Sequence, residues 1–494
     1  MTTYYFDVTD IARFVTTNKT VSGIQRVAIM VIHEMAAELG QSAMRLTYFD
    51  DRKGRHVALS AEAFLGLTSF EMFDVASALG LAPAGAARVK ANPVLFKYRP
   101  GSFKYYFHRA RIDMHARRGN DSFFQKRGFT IDDWARWRGA SLPAVAVDEA
   151  LRALPSKVHT LEDVMQPGDV ICILGALWDN PKLDALYARY AQQGGAQIYA
   201  MVHDTIPLLL PETVHVNPVV FYDWLKAAGG YCTGILANSQ CTARDVAFFL
   251  NRLGVEIPVH LTCLAQAPLP KAGGEAAPVE SADPVAQDLA RIKDTYRRRK
   301  DIRDATKLPF VLSVGTIEAR KNCWRMAQAW ARLSQEPDVE LPRLVFAGKR
   351  GWLNDDFLEA YKATGGWGGW VHIIEQPSDD DLAFLYRRCA FTITASLYEG
   401  WGLPIGESLS YGKTGVVSNI SAMPEVGGDM VEYCDPHSIT SIADAVRRLA
   451  SDPEHKAALE ARIADAQLRQ WSDVGADVAR ALTAAAPAKR QATG

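Results

Sequence analysis

Two stretches of the chain decide its fold: residues 310–322 read FVLSVGTIEARKN, and residues 391–412 read FTITASLYEGWGLPIGESLSYG. Each starts with a short apolar run rich in β-branched residues, passes through a loop that contains glycine, and continues into a helical pattern. Each therefore predicts a strand, a loop and a helix, which is the repeating unit of a parallel sheet covered by helices. Ligands bind such sheets at the carboxyl ends of the strands, where both loops lie.

The same alternation extends over most of the chain. Further strands are predicted by the apolar runs at 4–8, 169–174, 197–202, 234–237, 344–347, 372–374 and 416–418. Helical patterns are found at 24–39, 181–191, 242–253, 323–333 and 382–388. The spacing of Ser378 and Asp381 is typical of an N-terminal cap for the last of these helices. The pattern predicts an α/β protein with parallel sheets.

A change of composition divides the chain. Residues 271–307 are first small and polar and then highly charged, as expected of a linker. We therefore predict an N-terminal domain at 1–270, a C-terminal domain at 308–465, and a C-terminal helix and tail at 466–494. Both domains are expected to be Rossmann-like, with the ligand site in the cleft between them.

Composition excludes several classes of protein. The chain has 494 residues, with 55 Lys and Arg against 56 Asp and Glu, so its net charge of -1 argues against nucleic acid as a partner. The seven cysteines are scattered without a C-x-x-C pair, which favours buried thiols in a reducing compartment. No apolar run is long enough to span a membrane, and the N-terminus does not read as a signal peptide, so a cytoplasmic location is expected.

One stretch departs from the α/β pattern. Residues 88–127 contain 11 Lys and Arg against 2 Asp and Glu, interleaved with aromatic side chains. We interpret this stretch as part of an insertion at about 88–140 in the first domain. It is either a solvated helical excursion or a surface for anionic headgroups or a lipid-phosphate acceptor at the inner membrane face. A nucleic-acid surface is the least favoured alternative.

The first of the two deciding loops carries adjacent cations. Arg320 and Lys321 precede a helix start at the end of a predicted parallel strand. Arginine offers planar paired donors and lysine a point charge, and a helix N-terminus favours anions, so the loop suits a diphosphate. The same residue pair also occurs on ordinary solvated helix faces.

The second loop combines glycines with two carboxylates. Gly400 and Gly402 allow a close backbone approach to a ligand, while Glu399 and Glu407 can accept hydrogen bonds from different hydroxyls of a polyol. A helix N-terminal charge and a solvated glutamate would explain the same residues. The segment at 406–414, GESLSYGKT, is not a P-loop, because five residues rather than four separate its glycines.

Together these segments identify a family. VLSVGTIEARKN, LYEGWGLPIGESLSYG and VVSNISAMPEVGGD resemble the C-terminal half of the retaining glycosyltransferases of family 4, which have the two-domain GT-B fold. In the first half, SGIQRV is similar to the family's glycine-rich acceptor-side loop. YAMVHDTIPLLLPE is similar to its strand with an active-site His-Asp pair, and ILANSQCTARDV to its Asn-Ser segment.

The resemblance implies roles for individual residues. Arg320 and Lys321 would hold the donor diphosphate, Glu407 the ribose hydroxyls, and Glu399 the hydroxyls of the donor sugar. His203 would contact the donor sugar, with Asp204 nearby. The resemblance also implies that further donor-side contacts come from Gly23, Gly315, Gly400, Gly402 and Leu403. Thr205 and Ser239 are lesser candidates, because short hydroxyl residues near turns are usually caps.

The chain departs from the family in places. Ala319 replaces a usual proline, and YGKTGV at 411–416 lacks the proline that commonly precedes the strand. The first loop has Gly23 where many relatives have two glycines. The basic insertion has no counterpart that can be aligned in the family. Acceptor specificity is therefore the property that can least be carried over from the family to this chain.

The function that the resemblance implies is retaining transfer of a sugar from a nucleotide-diphosphate donor to a hydroxyl of a glycan acceptor, in cell-surface polysaccharide or lipopolysaccharide assembly. No cofactor and no metal is expected, because the charge of Arg320 and Lys321 would replace that of a divalent ion. An epimerase or a phosphorylase-like enzyme would share the fold, but the catalytic groups that such enzymes need cannot be placed in this sequence. A non-catalytic nucleotide-sugar-binding subunit of an assembly complex is the alternative.

Overall fold

The computed structural model describes residues 2–17, 23–51, 53–67, 72–81, 102–119, 123–124, 134, 159–267, 292 and 294–484. In these residues the chain forms two separate sheets covered by helices. Much of the basic insertion and of the proposed linker lies outside the described residues.

The N-terminal sheet has the strand order β4-β3-β2-β1-β5-β6-β7-β8. Its strands are β1 (Tyr4–Asp7), β2 (Met44–Asp50), β3 (Arg55–Ser60), β4 (His159–Thr160), β5 (Val170–Ile173), β6 (Gln197–Val202), β7 (Gly234–Ala237) and β8 (Val259–Leu261). The helices described here are α1 (Thr9–Thr17), α2 (Gly23–Leu39), α3 (Glu62–Leu65), α4 (Met72–Ala78), α5 (Phe103–Arg117), α6 (Leu161–Val164), α7 (Pro181–Gln192), α8 (Ile206–Leu209), α9 (Pro218–Tyr231) and α10 (Gln240–Arg252).

This sheet is not wholly parallel, which corrects the expectation from sequence. β1 pairs in parallel with β2 and β5, but β2 pairs antiparallel with β3, and β3 with β4. A short connection containing Gly54, with φ +64°, joins β2 to β3 as a hairpin. The sequence analysis missed β2 and β3, because it identified strands by continuous apolar runs. In these two strands buried residues are mixed with partly exposed ones.

The C-terminal sheet is parallel throughout its described pairs, in the order β11-β10-β9-β12-β13-β14. Its strands are β9 (Phe310–Val314), β10 (Arg343–Gly348), β11 (Val371–Glu375), β12 (Phe391–Thr394), β13 (Gly415–Ser418) and β14 (Glu432–Cys434). Its helices are α11 (Lys300–Ala305), α12 (Cys323–Leu333), α13 (Asp355–Ala363), α14 (Asp379–Arg388), α15 (Leu403–Ser410), α16 (Met423–Gly427), α17 (Ile439–Ser451) and α18 (Pro453–Asp465), with a one-turn segment at Gly365–Gly369.

The elements predicted for this domain are present. The strands predicted at 310–314 and 391–394 coincide with β9 and β12, and the helix predicted at 323–333 is α12. Ser378 and Asp381 form a capping box at the start of α14. Within the stretch interpreted as a linker, however, α11 buries Ile302 and Ala305 in the C-terminal core, so that part belongs to the domain.

The two domains are packed on each other. The C-terminal helix, here α19 (Trp471–Thr483), lies against α2 of the N-terminal domain rather than on its own sheet. Trp401, in the loop before α15, is 5% exposed and donates from Nε1 to the carbonyl of Ala265, 3.1 Å away. These contacts bring the carboxyl ends of the two sheets to one cleft.

The seven cysteines are free thiols, and six of them are buried. Their burial agrees with the prediction of small core residues. A search of the described helices finds none that is both long and apolar enough to cross a membrane.

Candidate functional site

The two deciding loops meet at the carboxyl ends of β9 and β12. A pocket there is lined by Ser313, Val314, Gly315, Thr316, Ile317, Lys321, Cys323, Phe346, Thr394 and Ser396. Asn322 anchors the first loop: it takes a left-handed conformation with φ +62°, and its buried amide donates to the carbonyls of Ala395 and Pro436. The loop that carries Arg320 and Lys321 is thereby fixed to the carboxyl end of β12, the strand that precedes the second loop.

The adjacent cations share one carboxylate. Lys321 Nζ lies 2.6 Å from Glu399 Oε1, and Arg320 lies 2.9 Å from Glu399 Oε2. Arg320 also donates to Glu318, at 2.7 Å, and to the carbonyl of Tyr398, at 2.6 Å. The predicted diphosphate-binding pair and the predicted sugar-binding glutamate therefore form a single cluster.

The electrostatics of this cluster follow from burial and pairing. Burial raises the pKa of Glu399, but Arg320 and Lys321 oppose it more strongly and hold that pKa at about 2. Burial lowers the pKa of Arg320, yet Glu399, Glu318 and Asp204 raise it above its ordinary value. Glu399 and Arg320 thus both carry full charge at neutral pH.

Glu407 sits in α15 and is held separately. Its Oε2 accepts a hydrogen bond of 2.7 Å from the hydroxyl of Tyr386, in α14. Burial raises the pKa of Glu407, opposed by Tyr386 and by the charge of Arg26. Arg26 reaches across from α2 to form an ion pair with Asp379 at 2.5 Å. The ribose-binding candidate therefore faces the N-terminal domain.

Gly400 marks the closest approach of the two domains. A Cβ at this position would lie 1.9 Å from the carbonyl oxygen of His203 and 2.9 Å from Cβ of Asp204. Only glycine fits there. The sequence predicted a close approach of this backbone to a ligand, whereas the structure shows a close approach to the backbone of the other domain. Gly402 has φ +108° and starts α15.

His203 and Asp204 follow β6 and lie directly opposite this loop. Nε2 of His203 is 2.8 Å from the carbonyl oxygen of Leu174, to which it must donate. Burial lowers the pKa of His203, opposed by that carbonyl and by Asp10. Burial raises the pKa of Asp204, opposed chiefly by Arg320. Asp204 is thus in electrostatic contact with the cluster of Arg320, Lys321 and Glu399.

The remaining sequence candidates have clear placements. Gly23 begins α2, and a Cβ there would lie 3.6 Å from Leu403 at the start of α15, so two helix N-termini face each other across the cleft. Gly315 has φ +144° and lies beside the Lys321 side chain. Ser239 is the N-cap of α10, and Thr205 donates to Asp245. The capping interpretation of Ser239 is confirmed.

Sequence reasoning missed several residues around the site. Glu425 accepts hydrogen bonds of 2.7 Å from the backbone N–H groups of both Gln240 and Cys241. A side-chain carboxylate of the C-terminal domain therefore caps α10 of the N-terminal domain. The Tyr398 hydroxyl contacts Asp245 of the other domain. No local pattern marks these residues as partners, because each pair is separated by more than 150 positions.

The residues that the structure describes include no group of three or more His, Cys, Asp or Glu side chains placed to hold a metal ion. The expectation that no metal is needed remains a prediction.

Part of the chain is similar in sequence to known glycosyltransferases. Residues 294–465 match the family model described as Glycosyl transferases group 1. The O-antigen chain mannosyltransferase B of Escherichia coli is 34% identical over 165 residues, which are 33% of this chain and 43% of that protein. A serotype-specific mannosyltransferase WbdA of the same organism is 26% identical over 254 residues, 51% of this chain and 29% of that protein. The chain spans less than half the length of these curated relatives.

Two solved structures share the architecture over nearly the whole chain. Anabaena HepE, in complex with UDP and glucose, has a TM-score of 0.53 at 11% identity and covers 98% of this chain and 100% of its own. A glycosyltransferase from Rickettsia africae has a TM-score of 0.52 at 10% identity, covering 97% and 98%. At such identities these structures establish the fold alone. The chain therefore has the GT-B fold, and its residues 294–465 match the group 1 glycosyltransferase family.

Proposed function

We propose that the protein transfers a mannosyl residue from a nucleotide-diphosphate sugar to a hydroxyl of a glycan acceptor, without a metal ion and with retention of configuration. The observation that carries the proposal is the cluster of Arg320 and Lys321 around Glu399. Two partly buried cations at the carboxyl ends of parallel strands suit a diphosphate.

Charge complementarity supports metal independence. A departing nucleoside diphosphate gains negative charge as its bond to the sugar breaks, and Arg320 and Lys321 are placed to stabilise that charge. Glu399 now pairs with both cations. When the diphosphate takes over part of that pairing, a carboxylate oxygen of Glu399 becomes available to the hydroxyls of the donor sugar.

Other groups would position the donor. Glu407, oriented by Tyr386, has a carboxylate oxygen suited to the ribose hydroxyls. The ring of His203 is oriented by the bond from its Nε2 to the carbonyl of Leu174, and the backbone carbonyl of the same residue lies against Gly400. No side chain is needed as a covalent nucleophile if the acceptor attacks on the face from which the diphosphate leaves.

The choice of mannose rests on the relatives. The curated relatives described above are named as mannosyltransferases, one of the O-antigen chain and one serotype-specific. We extend the sugar and the setting, cell-surface polysaccharide or lipopolysaccharide assembly on the cytoplasmic side, to this chain as a proposal.

The described part of the basic insertion supports contact with an anionic membrane. On α5, Tyr106 and Phe107 are each 57% exposed and Met114 is 42% exposed. The same exposed side carries Lys104, Arg111, Arg117 and Arg118. Apolar side chains rimmed by cations fit the interface of a membrane with anionic lipids. A lipid-linked acceptor would then be presented to the cleft by the same surface.

The transfer is tested with GDP-mannose, UDP-glucose, ADP-glucose and dTDP-glucose, each with p-nitrophenyl α-mannoside as acceptor, in the presence and absence of EDTA. We expect mannose addition from GDP-mannose, unchanged by EDTA, with an α-linked product by NMR. Transfer from another donor would overturn the sugar assignment, and loss of activity in EDTA would overturn metal independence. Donor binding without any turnover would favour a non-catalytic subunit.

Membrane contact is tested by flotation with vesicles of phosphatidylcholine, with and without phosphatidylglycerol. We expect flotation only with the anionic lipid, and its loss in the Tyr106→Ser, Met114→Ser double variant. Tyr222→Ser is the matched control, because Tyr222 is 40% exposed on a different surface. Equal flotation of all three proteins would contradict the assignment to α5.

A further inference from the structure

A second carboxylate borders the cleft next to His203, on the N-terminal side. Asp10 lies in the first turn of α1, directly after β1. It packs on the chain just after β5, where a Cβ at Gly175 would lie 2.4 Å from Cβ of Asp10 and 2.9 Å from Oδ2. Glycine at 175 therefore makes room for the carboxylate.

One oxygen of this carboxylate is fixed and the other is available. Oδ2 accepts from Nε2 of Gln25, at 2.7 Å, and from the backbone N–H of Ala176, at 3.4 Å. Within the described residues, Oδ1 accepts no hydrogen bond. A carboxylate has capacity for about four hydrogen bonds, so Oδ1 is an unused strong acceptor.

The same short segment orients both Asp10 and His203. The carbonyl of Leu174 accepts from His203, and two residues later the N–H of Ala176 donates to Asp10. The charge of Asp10 also raises the pKa of His203 against the effect of burial. His203 abuts Gly400 of the opposite domain. Asp10 is therefore placed beside the position at which the donor sugar would meet the N-terminal wall.

We propose that Asp10 binds the acceptor, with Oδ1 accepting a hydrogen bond from a sugar hydroxyl of the glycan. The inference rests on the proposed function, since it places the acceptor between Asp10 and the donor sugar. Gln25 and Ala176 hold the carboxylate so that Oδ1 is presented without loss of side-chain freedom on binding. Burial raises the pKa of Asp10, opposed by its bonds to Gln25 and Ala176.

The test compares Asp10→Asn with the wild-type protein in three measurements: GDP binding, slow hydrolysis of GDP-mannose without acceptor, and transfer to p-nitrophenyl α-mannoside. We expect the acceptor kcat/KM to fall about 10- to 100-fold, the worth of one hydrogen bond to a charged group. GDP binding and donor hydrolysis stay at the wild-type level, because the groups proposed to hold the nucleotide, Arg320, Lys321 and Glu407, lie on the opposite domain.

Two further variants separate binding from folding. Gly175→Ala keeps the carboxylate but displaces it, and we expect the same selective loss of acceptor transfer. Asp51→Asn is the matched control: Asp51 also pairs with α1, through Arg13 at 3.1 Å, but its side chain is 61% exposed. It should leave all three measurements unchanged.

Asp10→Asn with wild-type acceptor kcat/KM would overturn the proposal, as would equal losses in donor hydrolysis and acceptor transfer. Saturation-transfer NMR of p-nitrophenyl α-mannoside with the GDP-bound protein provides a readout that needs no turnover. Acceptor signals that disappear in Asp10→Asn support the site even if the transferred sugar is not mannose. Absence of turnover in the wild-type protein would instead count against the proposed function.

Discussion

The two walls of the cleft are built in different ways. On the C-terminal wall, Arg320, Lys321 and Glu399 come from two continuous loops and pair with one another inside one domain. On the N-terminal wall, Asp10 and His203 follow different strands and are joined only through the segment after β5. The first wall is a pair of local motifs, whereas the second is assembled from distant parts of the chain.

The difference separates two kinds of recognition. A diphosphate is small and highly charged, so two cations on one strand–loop–helix unit can hold it wherever that unit occurs. An acceptor glycan is neutral and varied, and hydrogen bonds at several separated positions are needed to recognise it. The motif-built wall should therefore carry the chemistry that relatives share, and the assembled wall should carry specificity.

The strongest way to break this comparison is to remove Arg320. Arg320→Ala should lower kcat/KM about 10²- to 10³-fold, because one charged donor to the departing diphosphate is lost. Initial rates with GDP-mannose measure the effect. Arg320→Lys is the control, because it keeps the charge but not the paired donors to Glu318 and Glu399. Its kcat/KM should lie between the values of the wild type and of Arg320→Ala. Full activity in Arg320→Ala would refute the role of this wall.

The next variant acts across the cleft without touching either loop. Glu425→Gln weakens the charged cap that the C-terminal domain places on α10. We expect kcat to fall about three- to tenfold, because the closed arrangement loses a charge–helix interaction. Small-angle scattering should show a more open molecule with GDP bound.

The matched control for that variant is Glu454→Gln, in the first turn of α18 of the same domain. It is exposed and makes no contact across the cleft in the described residues. Equal losses in the two variants would mean that Glu425 contributes only to the stability of its own domain.

A smaller effect is expected at a local feature. Ser378→Ala removes the side-chain cap of α14, in which Ser378 Oγ accepts from the N–H of Asp381 at 3.1 Å. The free energy of unfolding in urea should fall by about 1 kcal/mol. Ser378→Thr, which retains a hydroxyl, should restore most of it. A larger change in Ser378→Ala, together with weaker GDP binding, would show that the cap also positions Tyr386 and Glu407.

Between pH 6 and 8, a change of pH is expected to have the smallest effect of all. Because the pKa of Glu399 is held at about 2 in the folded protein, against an ordinary value of 4.5, its pairing stabilises the fold above about pH 4.5. That stabilisation is lost as pH falls toward 2. The difference in unfolding free energy between wild type and Glu399→Gln should be constant from pH 6 to 8 and shrink below about 4.5. A change within the neutral range would contradict the pairing.

Sequence reading recovered the C-terminal domain almost completely. Strands such as β9 and β12 are continuous apolar runs, and the αL residue Asn322 and the close approach at Gly400 fall in the loops that it singled out. It missed the β2–β3 hairpin, because strands in which buried and partly exposed residues alternate give a weaker sequence signal than continuous apolar runs do. It also missed Asp10, Tyr386 and Glu425, each of which gains its role from a partner on another element.

The sequence by itself determined the similarity of residues 294–465 to the group 1 glycosyltransferases, the parallel C-terminal sheet and the adjacent cations of its first loop. These properties depend on residues within one strand–loop–helix unit, so their spacing along the chain is also their spacing in space. Only the tertiary structure decided that Glu399 pairs with both cations, that Gly400 touches His203, and that Asp10 stands beside the histidine. Such contacts depend on how the elements pack and how the domains close, which no local pattern of residues records.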